Sequence, residues 1–374
     1  MRRGGSRKSP ERADDALWMR RAVALAERAL GRTSPNPAVG AVLVKAGRIV
    51  GEGWTRPAGG PHAEVVALRR AGARARGATL YVTFEPCAHF GRTPPCADAV
   101  VAAGVVRVVV GVGDPNPRVR GRGLRTLERA GVAVTTGVLA AEAGRMSAWF
   151  RHWVVRRRPF VILKLAASLD GRIATAAGAS RWITGAAARR WVHELRNRVD
   201  AVMVGSETVL ADDPALTCRR RGGRDPLRIV IDGRLRMPLA ARLVRQRSAA
   251  ATVVATTAAA PLRKRRALGA AGVEVIVLPA VAGKVDLAAC MRLLAARGVV
   301  SLLVEGGGEL AAALLRARLV DRLALLTAPV LLGGDGRPML GALRLRRLGD
   351  APRLVRPTLV PLGPDVLREG SVAY

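Results

Sequence analysis

Four of the residues best suited to chemistry stand close together in the chain: His62 and Glu64 in "PHAEVVAL" (61–68), Cys87 and Cys96 in "EPCAHFGRTPPC" (85–96). The whole chain has only four histidines and four cysteines, so one histidine and two cysteines here ask for a reason. An imidazole and two thiolates are zinc donors, and a catalytic zinc keeps three protein ligands and leaves its fourth position to water. Two thiolates and a neutral imidazole balance the charge of Zn²⁺, and water at such a site loses a proton far more readily than free water does. Glu64, two residues after His62, is poorly placed to be a fourth ligand. It can instead take that proton and pass it to a leaving group. The same residues admit two plainer readings: a structural zinc site closed by His89, or two core cysteines beside a surface histidine.

Such a constellation needs elements to hold it. Apolar residues at helical spacing in "DALWMRRAVALAERAL" predict a helix from residue 15, stopped at Gly31. "AVGAVLVKAGRIVGEGW" predicts two strands around a turn at Ala46-Gly47. His62 opens a helix to about Arg74, "ATLYVTF" is a buried strand delivering Pro86-Cys87, and "PPCADAVVAAG" is a helix with proline in its first turn. Helix N-termini favour thiolate over thiol, which suits Cys96. A strand "VVRVVVGV", a helix "GRGLRTLERAG" and a strand "VAVTTGV" complete the alternation, which implies a sheet covered by helices.

A boundary falls at "AWFRHWVVRRRPF" (148–160), after which strands and helices alternate again. "FVILKLAASLDG", "DAVMVG", "RIVIDG", "ATVVAT", "VEVIVL" and "VVSLLVEGG" read as strands of a second α/β unit. "LLVEGGGEL" (302–310) runs a strand through three glycines into a helix, where phosphate can approach backbone N–H groups; a plain tight turn is the competing reading. "SRWITG" (180–185) and "VLADDPALTCR" (209–219) put hydroxyls, aspartates and arginine in loops after strands, where open α/β sheets bind ligands.

Composition bounds these readings. At 374 residues the chain is long enough for two domains. It is 50% hydrophobic but only 3% aromatic, which fits α/β architecture better than a β-sandwich. No run of apolar residues is long enough to span a membrane, and the basic "MRRGGSRKSPERADD" lacks a secretory apolar stretch. Residues 1–13 are expected to be a disordered basic tail. Four cysteines, Cys218 and Cys290 among them, make no disulfide framework, so the expected compartment is the cytoplasm. The net charge of +34 is almost all scattered arginine, with lysine only at Lys8, Lys45, Lys164, Lys264 and Lys284. It reads as compositional bias, and a nucleic-acid partner is not expected despite it.

The H-x-E and P-C … C elements resemble the zinc-dependent nucleobase deaminases, with one departure: eight residues, "AHFGRTPP", separate the cysteines instead of two. "PCAHFGRTPPC", together with "PNPAVGAV" (35–42) and "HAE", is similar to the deaminase half of the bifunctional riboflavin-biosynthesis family called RibD. "KLAASLDGRIA", "SRWIT", "VLADDPALT" and "VEGGGEL" are similar to the reductase half of that family, so the resemblance runs from about residue 14 to the C-terminus. It implies a cytidine-deaminase-like α/β/α domain over 14–150 and a dihydrofolate-reductase-like α/β domain over 158–374. The first, with Zn²⁺ on His62, Cys87 and Cys96 and Glu64 moving the proton, would deaminate 2,5-diamino-6-(5-phosphoribosylamino)pyrimidin-4-one. The second would use NADPH to reduce the ribosyl group of the product to ribityl.

The resemblance also implies roles for single residues. Asn36 matches a base-contacting position. His89 and Arg92, with Thr93, are polar enough to handle the sugar phosphate, although Arg92 also reads as a solvated loop charge. Ala166, Trp182, Thr208, Asp212, Gly307 and Gly308 match cofactor contacts. Ser180, Arg196, Leu216, Arg219 and Glu305 match substrate contacts, and the two arginines suit a phosphate. Lys164, Asp212 and Glu305 are the ionisable groups placed to protonate or orient the opening sugar. An interstrand salt bridge is the alternative for Lys164, and plain packing for Trp182. Arg234 and Arg236, after "RIVIDG", suit the 2′-phosphate of NADPH. The expected partner is a small phosphorylated pyrimidine, in a homo-oligomeric enzyme with no membrane contact. The runner-up is a nucleic-acid- or nucleoside-acting zinc deaminase with a degenerate reductase domain.

Overall fold

Strict alternation along three strands decides the layers of the first unit. In a computed structural model, which describes residues 10–91, 93–117, 119–246 and 248–374 (side chains from Asp14 onward), the chain divides into two compact units at Arg157/Arg158. The first unit contains α1 (Pro10–Glu27), β1 (Gly40–Lys45), β2 (Arg48–Trp54), α2 (Ala63–Ala71), β3 (Thr79–Phe84), α3 (Cys96–Ala102), β4 (Arg107–Val112), α4 (Arg122–Arg129), β5 (Ala133–Thr136), α5 (Ala140–Met146) and α6 (Ala148–Arg156). Its sheet runs β2-β1-β3-β4-β5, antiparallel between β2, β1 and β3 and parallel from β3 to β5. Ala41, Leu43, Leu80, Val82, Val108 and Val110 point to one face, against α2, α3 and α4. Val42, Val44, Tyr81 and Val109, one residue out of phase, point to the other face, against Met19, Ala22 and Leu25 of α1. The result is the α/β/α layering implied for this half. The expected tail lies outside the described residues over 1–9, and the first helix begins at Pro10.

The approach of α2 matters most, because it carries His62 and Glu64. Gly51 and Gly53 alternate on β2 beneath the stripe Ala63, Ala67 and Ala71, and a Cβ at Gly53 would lie 2.2 Å from the Ala63 carbonyl oxygen. A helix of alanines on a strand of glycines sits closer than larger side chains allow, and that closeness fixes where α2 starts.

The second unit contains β6 (Phe160–Ser168), β7 (Arg172–Ala174), α7 (Ala186–Arg198), β8 (Ala201–Gly205), α8 (Ser206–Asp212), β9 (Leu227–Ile231), α9 (Arg242–Arg245), β10 (Thr252–Thr256), α10 (Leu262–Ala270), β11 (Glu274–Val277), β12 (Ala280–Val281), β13 (Lys284–Val285), α11 (Leu287–Ala296), β14 (Ser301–Val304), α12 (Gly308–Arg316), β15 (Arg322–Ala328), β16 (Arg337–Pro338), β17 (Arg353–Leu362) and β18 (Asp365–Ala373). The main sheet runs β11-β10-β9-β8-β14-β6-β15-β18-β17. It is parallel through β15, and β18 and β17 add on antiparallel. Val161, Leu163 and Leu165 of β6 enter the core beside Leu302, Val304 and residues of α11 and α12. Lys164 and Ala166, one residue out of phase, therefore face the other side of the sheet.

The strands expected from the sequence up to Val304 all form. β15, β17 and β18 had no sequence signal assigned to them. Pro357 and Pro361 interrupt β17, which is why its pattern is weak. Proline removes a ladder donor and is tolerated at a sheet edge, where β17 lies with a register shift between Val355 and Thr358.

Candidate active sites

In the first unit the three zinc-type donors meet. His62, the N-cap residue of α2, brings Nδ1 to 3.2 Å from the Cys96 sulfur and 3.6 Å from the Cys87 sulfur. The ligand atoms of all three lie within 4.8 Å of one another. Cys87 follows the end of β3, Cys96 opens α3, and the Cys96 backbone N–H donates to the Cys87 sulfur at 3.3 Å. A hydrogen bond from the Cys96 thiol is the largest influence pulling Cys87 down to about 4, with His62 and that N–H helping. The same bond, then burial, pushes Cys96 up. The hydrogen bonds therefore favour the thiolate form at Cys87, and two soft donors with an imidazole nitrogen suit zinc. His89 is not part of this cluster, so the closed four-ligand alternative finds no support among the described residues.

Glu64, in the first turn of α2, is 3% exposed. Burial, followed by the Cys87 thiolate, raises its carboxyl to about 7. It stands beside the donor cluster without joining it. Asn36, His62, Cys87, His89 and Thr93 line one cavity of about 150 Å³, and Arg92 lies outside the described residues. Thr93 Oγ1 sits 3.5 Å from His62 Nε2, the nitrogen turned away from the sulfurs.

Glu85, which sequence reasoning passed over, holds the Cys87 turn in place. Its buried carboxylate accepts from the backbone N–H groups of Asp114 (3.1 Å), Gly121 (3.1 Å) and Gly123 (3.2 Å). Gly121 and Gly123 are thereby held against the turn, so closely that a Cβ at Gly123 would lie 1.8 Å from the Pro86 carbonyl oxygen. Gly123→Ala is expected to push Pro86 and Cys87 out of position and to lower zinc affinity by about 10- to 100-fold. Zinc titration against a chromogenic chelator checks this; wild-type affinity would show that the turn tolerates the shift.

In the second unit Lys164, Arg196 and Glu305 form one largely buried cluster, and the Asp212 side chain is not among the contacts that build it. Arg196 on α7 grips Glu305, just beyond β14, with Nε–Oε1 at 2.6 Å and Nη2–Oε2 at 3.0 Å, and its Nη1 donates to the Thr217 carbonyl oxygen at 3.0 Å. Lys164 Nζ approaches the same carboxylate at 3.9 Å. Burial raises the Glu305 carboxyl, but Arg196 and Lys164 outweigh it and the net shift is downward. Burial lowers Lys164, with Glu305 opposing. The salt-bridge alternative for Lys164 is therefore present in the geometry. The expected phosphate contact at Arg196 meets a guanidinium already engaged by Glu305 and Thr217.

Around this cluster, the Gly307 N–H donates to Thr208 Oγ1 at 3.1 Å, which joins α8 to the start of α12. A Cβ at Gly307 would meet only that hydroxyl, at 3.7 Å, so the turn stays open to a ligand. A Cβ at Gly308 would press on backbone of residues 338–341. Arg181 Nη2 donates to the Asp212 carbonyl oxygen at 2.5 Å, tying the Trp182 loop to the end of α8. Trp182 is 68% exposed under the Arg189 guanidinium, 4.7 Å from the ring centre, so it is not core packing. Leu216 is buried with φ of 53° and offers its backbone to a ligand more readily than its side chain. Arg219 is exposed, its N–H on His193 Nδ1 at 3.3 Å. Ala166 shares a face of β6 with Lys164, and Ser180 lies in the loop before α7. Arg236 donates to Glu207 and Ser206 Oγ, both at 2.6 Å, while Arg234 is exposed.

Two family models divide the chain along the same lines. The "Cytidine and deoxycytidylate deaminase zinc-binding region" matches residues 12–112, and the "RibD C-terminal domain" matches residues 159–367. Riboflavin biosynthesis protein RibD of Escherichia coli is 45% identical over 94% of this chain and 98% of its own length. The chain belongs to the RibD family. The RibD of Aquifex aeolicus is 40% identical over 94% of this chain and 97% of its own. The solved structure of Acinetobacter baumannii RibD superposes with a TM-score of 0.88 at 38% identity, covering 97% of this chain and all of that one. A Thermotoga maritima structure, described as a diaminohydroxyphosphoribosylaminopyrimidine deaminase and 5-amino-6-(5-phosphoribosylamino)uracil reductase, does so at 0.85 and 35%. RibD relatives thus match both halves at nearly full length, which leaves the runner-up reading, a nucleic-acid- or nucleoside-acting zinc deaminase with a degenerate reductase domain, without support. The RibD reductase half implies a nicotinamide cofactor, which the open Gly307 turn can accommodate.

Proposed function

We propose that this chain performs two successive steps of riboflavin biosynthesis. The first unit removes ammonia from 2,5-diamino-6-(5-phosphoribosylamino)pyrimidin-4-one, and the second uses NADPH to reduce the ribosyl group of the product to ribityl. The observation that carries the reading is the His62–Cys87–Cys96 donor set with buried Glu64 beside it, in a chain whose other half matches the RibD C-terminal domain.

His62, Cys87 and Cys96 would hold the zinc, which supplies the Lewis acidity that makes water a nucleophile at neutral pH. Glu64 accepts the proton of the attacking water and returns it to the departing amine. Asn36 orients the base at the mouth of the cavity it shares with His62, and His89 and Thr93 face the rest of the substrate. Arg92 belongs to the same substrate-binding proposal by its place in the loop.

In the second unit Ala166, Trp182, Thr208, Asp212, Gly307 and Gly308 would position NADPH, with Arg234 able to meet its 2′-phosphate. Ser180, Leu216 and Arg219 would contact substrate. Lys164 and Glu305, paired with each other directly and Glu305 held by Arg196, would orient the opening sugar and supply its proton, with Asp212 included by its place in the motif. The reading includes a homo-oligomeric enzyme of the cytoplasm. No helix among the described residues is long and apolar enough to cross a membrane.

The deciding experiment follows ammonia release and NADPH oxidation together on the diaminopyrimidine substrate. Dialysis against a zinc chelator should abolish ammonia release while leaving reduction of the already deaminated intermediate at its original rate, and added zinc should restore the first step. Ammonia release that survives zinc removal would refute the proposed first step. Comparing rates with NADPH and NADH tests the cofactor, and sedimentation tests the oligomer.

A further inference from the structure

Residues 213–226 join α8 to β9, and α7 holds the middle of this loop. His193, Arg196 and Asn197 stand at i, i+3 and i+4 on α7 and so share one face of it. Arg196 Nη1 donates to the Thr217 carbonyl oxygen at 3.0 Å, and Asn197 Oδ1 accepts from the Arg224 N–H at 3.0 Å. Between those two anchors His193 makes two further contacts. Its carbonyl oxygen accepts from the Cys218 thiol at 3.4 Å, and its ring Nδ1 accepts from the Arg219 backbone N–H at 3.3 Å. Arg220 pairs with Glu194 at 2.7 Å, but both side chains are exposed and such a pair holds little.

A backbone N–H is a donor, so Nδ1 must offer its lone pair, and the ring is neutral with its proton on Nε2. The surroundings favour that form. Burial, then Arg196 and Arg219, hold the imidazole below the ordinary histidine range, with Glu305 and the Thr217 carbonyl oxygen opposing. Those groups come from its own helix, from the loop and from the turn beyond β14. Arg219 is exposed, and among the described residues no carboxylate or carbonyl engages its guanidinium. Arg196, the other arginine matched to substrate, is engaged by Glu305 and Thr217. Arg219 is therefore the one with its planar fork free for a phosphate. An exposed side chain is only as well placed as its backbone, and the His193 ring holds that backbone.

We propose that His193 is a positioning residue for the reductase substrate: its neutral ring holds the Arg219 backbone so that the guanidinium meets the phosphate, and a proton at Nδ1 releases it. This rests on the reading of Arg219 as a substrate contact.

Steady-state kinetics of NADPH oxidation on the already deaminated intermediate, with the full chain, test this. His193→Leu removes the acceptor and should raise KM by about 3- to 10-fold, what one hydrogen bond contributes, with kcat within about twofold of wild type. His193→Asn should keep KM near wild type, because its Oδ1 lies as many bonds from the backbone as Nδ1 and accepts the same N–H. Arg219→Met should raise KM by about 10- to 100-fold, and adding His193→Leu to it should raise KM no further. Acid separates positioning from direct binding. As pH falls, the wild-type KM should climb relative to that of His193→Asn, whose amide does not titrate; the phosphate's own titration is common to both. A ratio that falls instead would make protonated His193 a direct partner of the phosphate and overturn the positioning role, and a flat ratio would overturn it too. So would a wild-type KM in His193→Leu, or multiplying effects in the double variant. If His193→Leu does not fold, the acid comparison of wild type with His193→Asn decides alone. A wild-type KM in Arg219→Met would remove Arg219 from the substrate and the proposal with it. A wild type that does not oxidise NADPH on this intermediate would refute the reading of the second unit on which both rest.

Discussion

Glu64→Gln is expected to slow ammonia release by about 10²- to 10⁴-fold, the usual contribution of a positioned general acid–base. The side chain is buried in the first turn of α2, next to the donor cluster but not in it. Glutamine keeps its shape, so the alanine-on-glycine packing of α2 against β2 should survive and zinc content should stay at wild-type level. What is lost is the ability to accept and return a proton. Reduction of the already deaminated intermediate should proceed at the wild-type rate, because the second unit has its own core. Deamination within a factor of ten of wild type, at full zinc content, would remove Glu64 from the proton path.

The deaminase half was readable from the sequence because its chemistry is written at the starts of elements. His62 caps α2, Glu64 is in its first turn, Cys87 follows β3 and Cys96 opens α3. Recognising those elements already brings the residues to one end of a sheet. What stayed hidden were contacts across the chain. Glu85 acts through the N–H groups of residues 114, 121 and 123, and backbone donors leave no mark on residue type. The only hint was the glycine at 123, and a glycine alone does not say what it approaches.

The reductase half was harder for the same reason. Arg196 and Glu305 lie 109 residues apart, and nothing local tells an arginine meant for phosphate from one meant for a carboxylate. The family resemblance implies a substrate contact for Arg196. The fold engages it with Glu305 and a backbone carbonyl, so any role toward phosphate has to be shared with that pair. Trp182 shows the opposite case: packing and cofactor contact looked alike in the sequence, and its exposure excludes core packing.

Removing the Glu305 carboxylate should have the largest effect on the second unit. Glu305→Ala would leave two cations, Arg196 and Lys164, without the anion they surround. Breaking a buried pair in this way costs about 3–5 kcal/mol. Lys164, already lowered by burial, can escape by losing its proton; Arg196 cannot. Denaturant unfolding should therefore show a large loss for Glu305→Ala and a smaller one for Glu305→Gln, whose amide oxygen still accepts from Arg196. The double variant Glu305→Leu with Arg196→Met should recover much of the stability, since an apolar pair can replace a buried ion pair at little cost. None of the three should recover NADPH oxidation if the carboxylate also serves the sugar. A stable, fully active Glu305→Gln would show that charge at this position matters neither to the fold nor to the chemistry. The pH dependence has a definite sign. A carboxyl held below its ordinary range stabilises the fold at neutral pH, and that contribution fades as pH falls through its lowered value. Wild type should therefore lose stability in acid more steeply than Glu305→Gln, and unfolding curves at neutral and acidic pH would reveal whether the buried carboxylate is ionised.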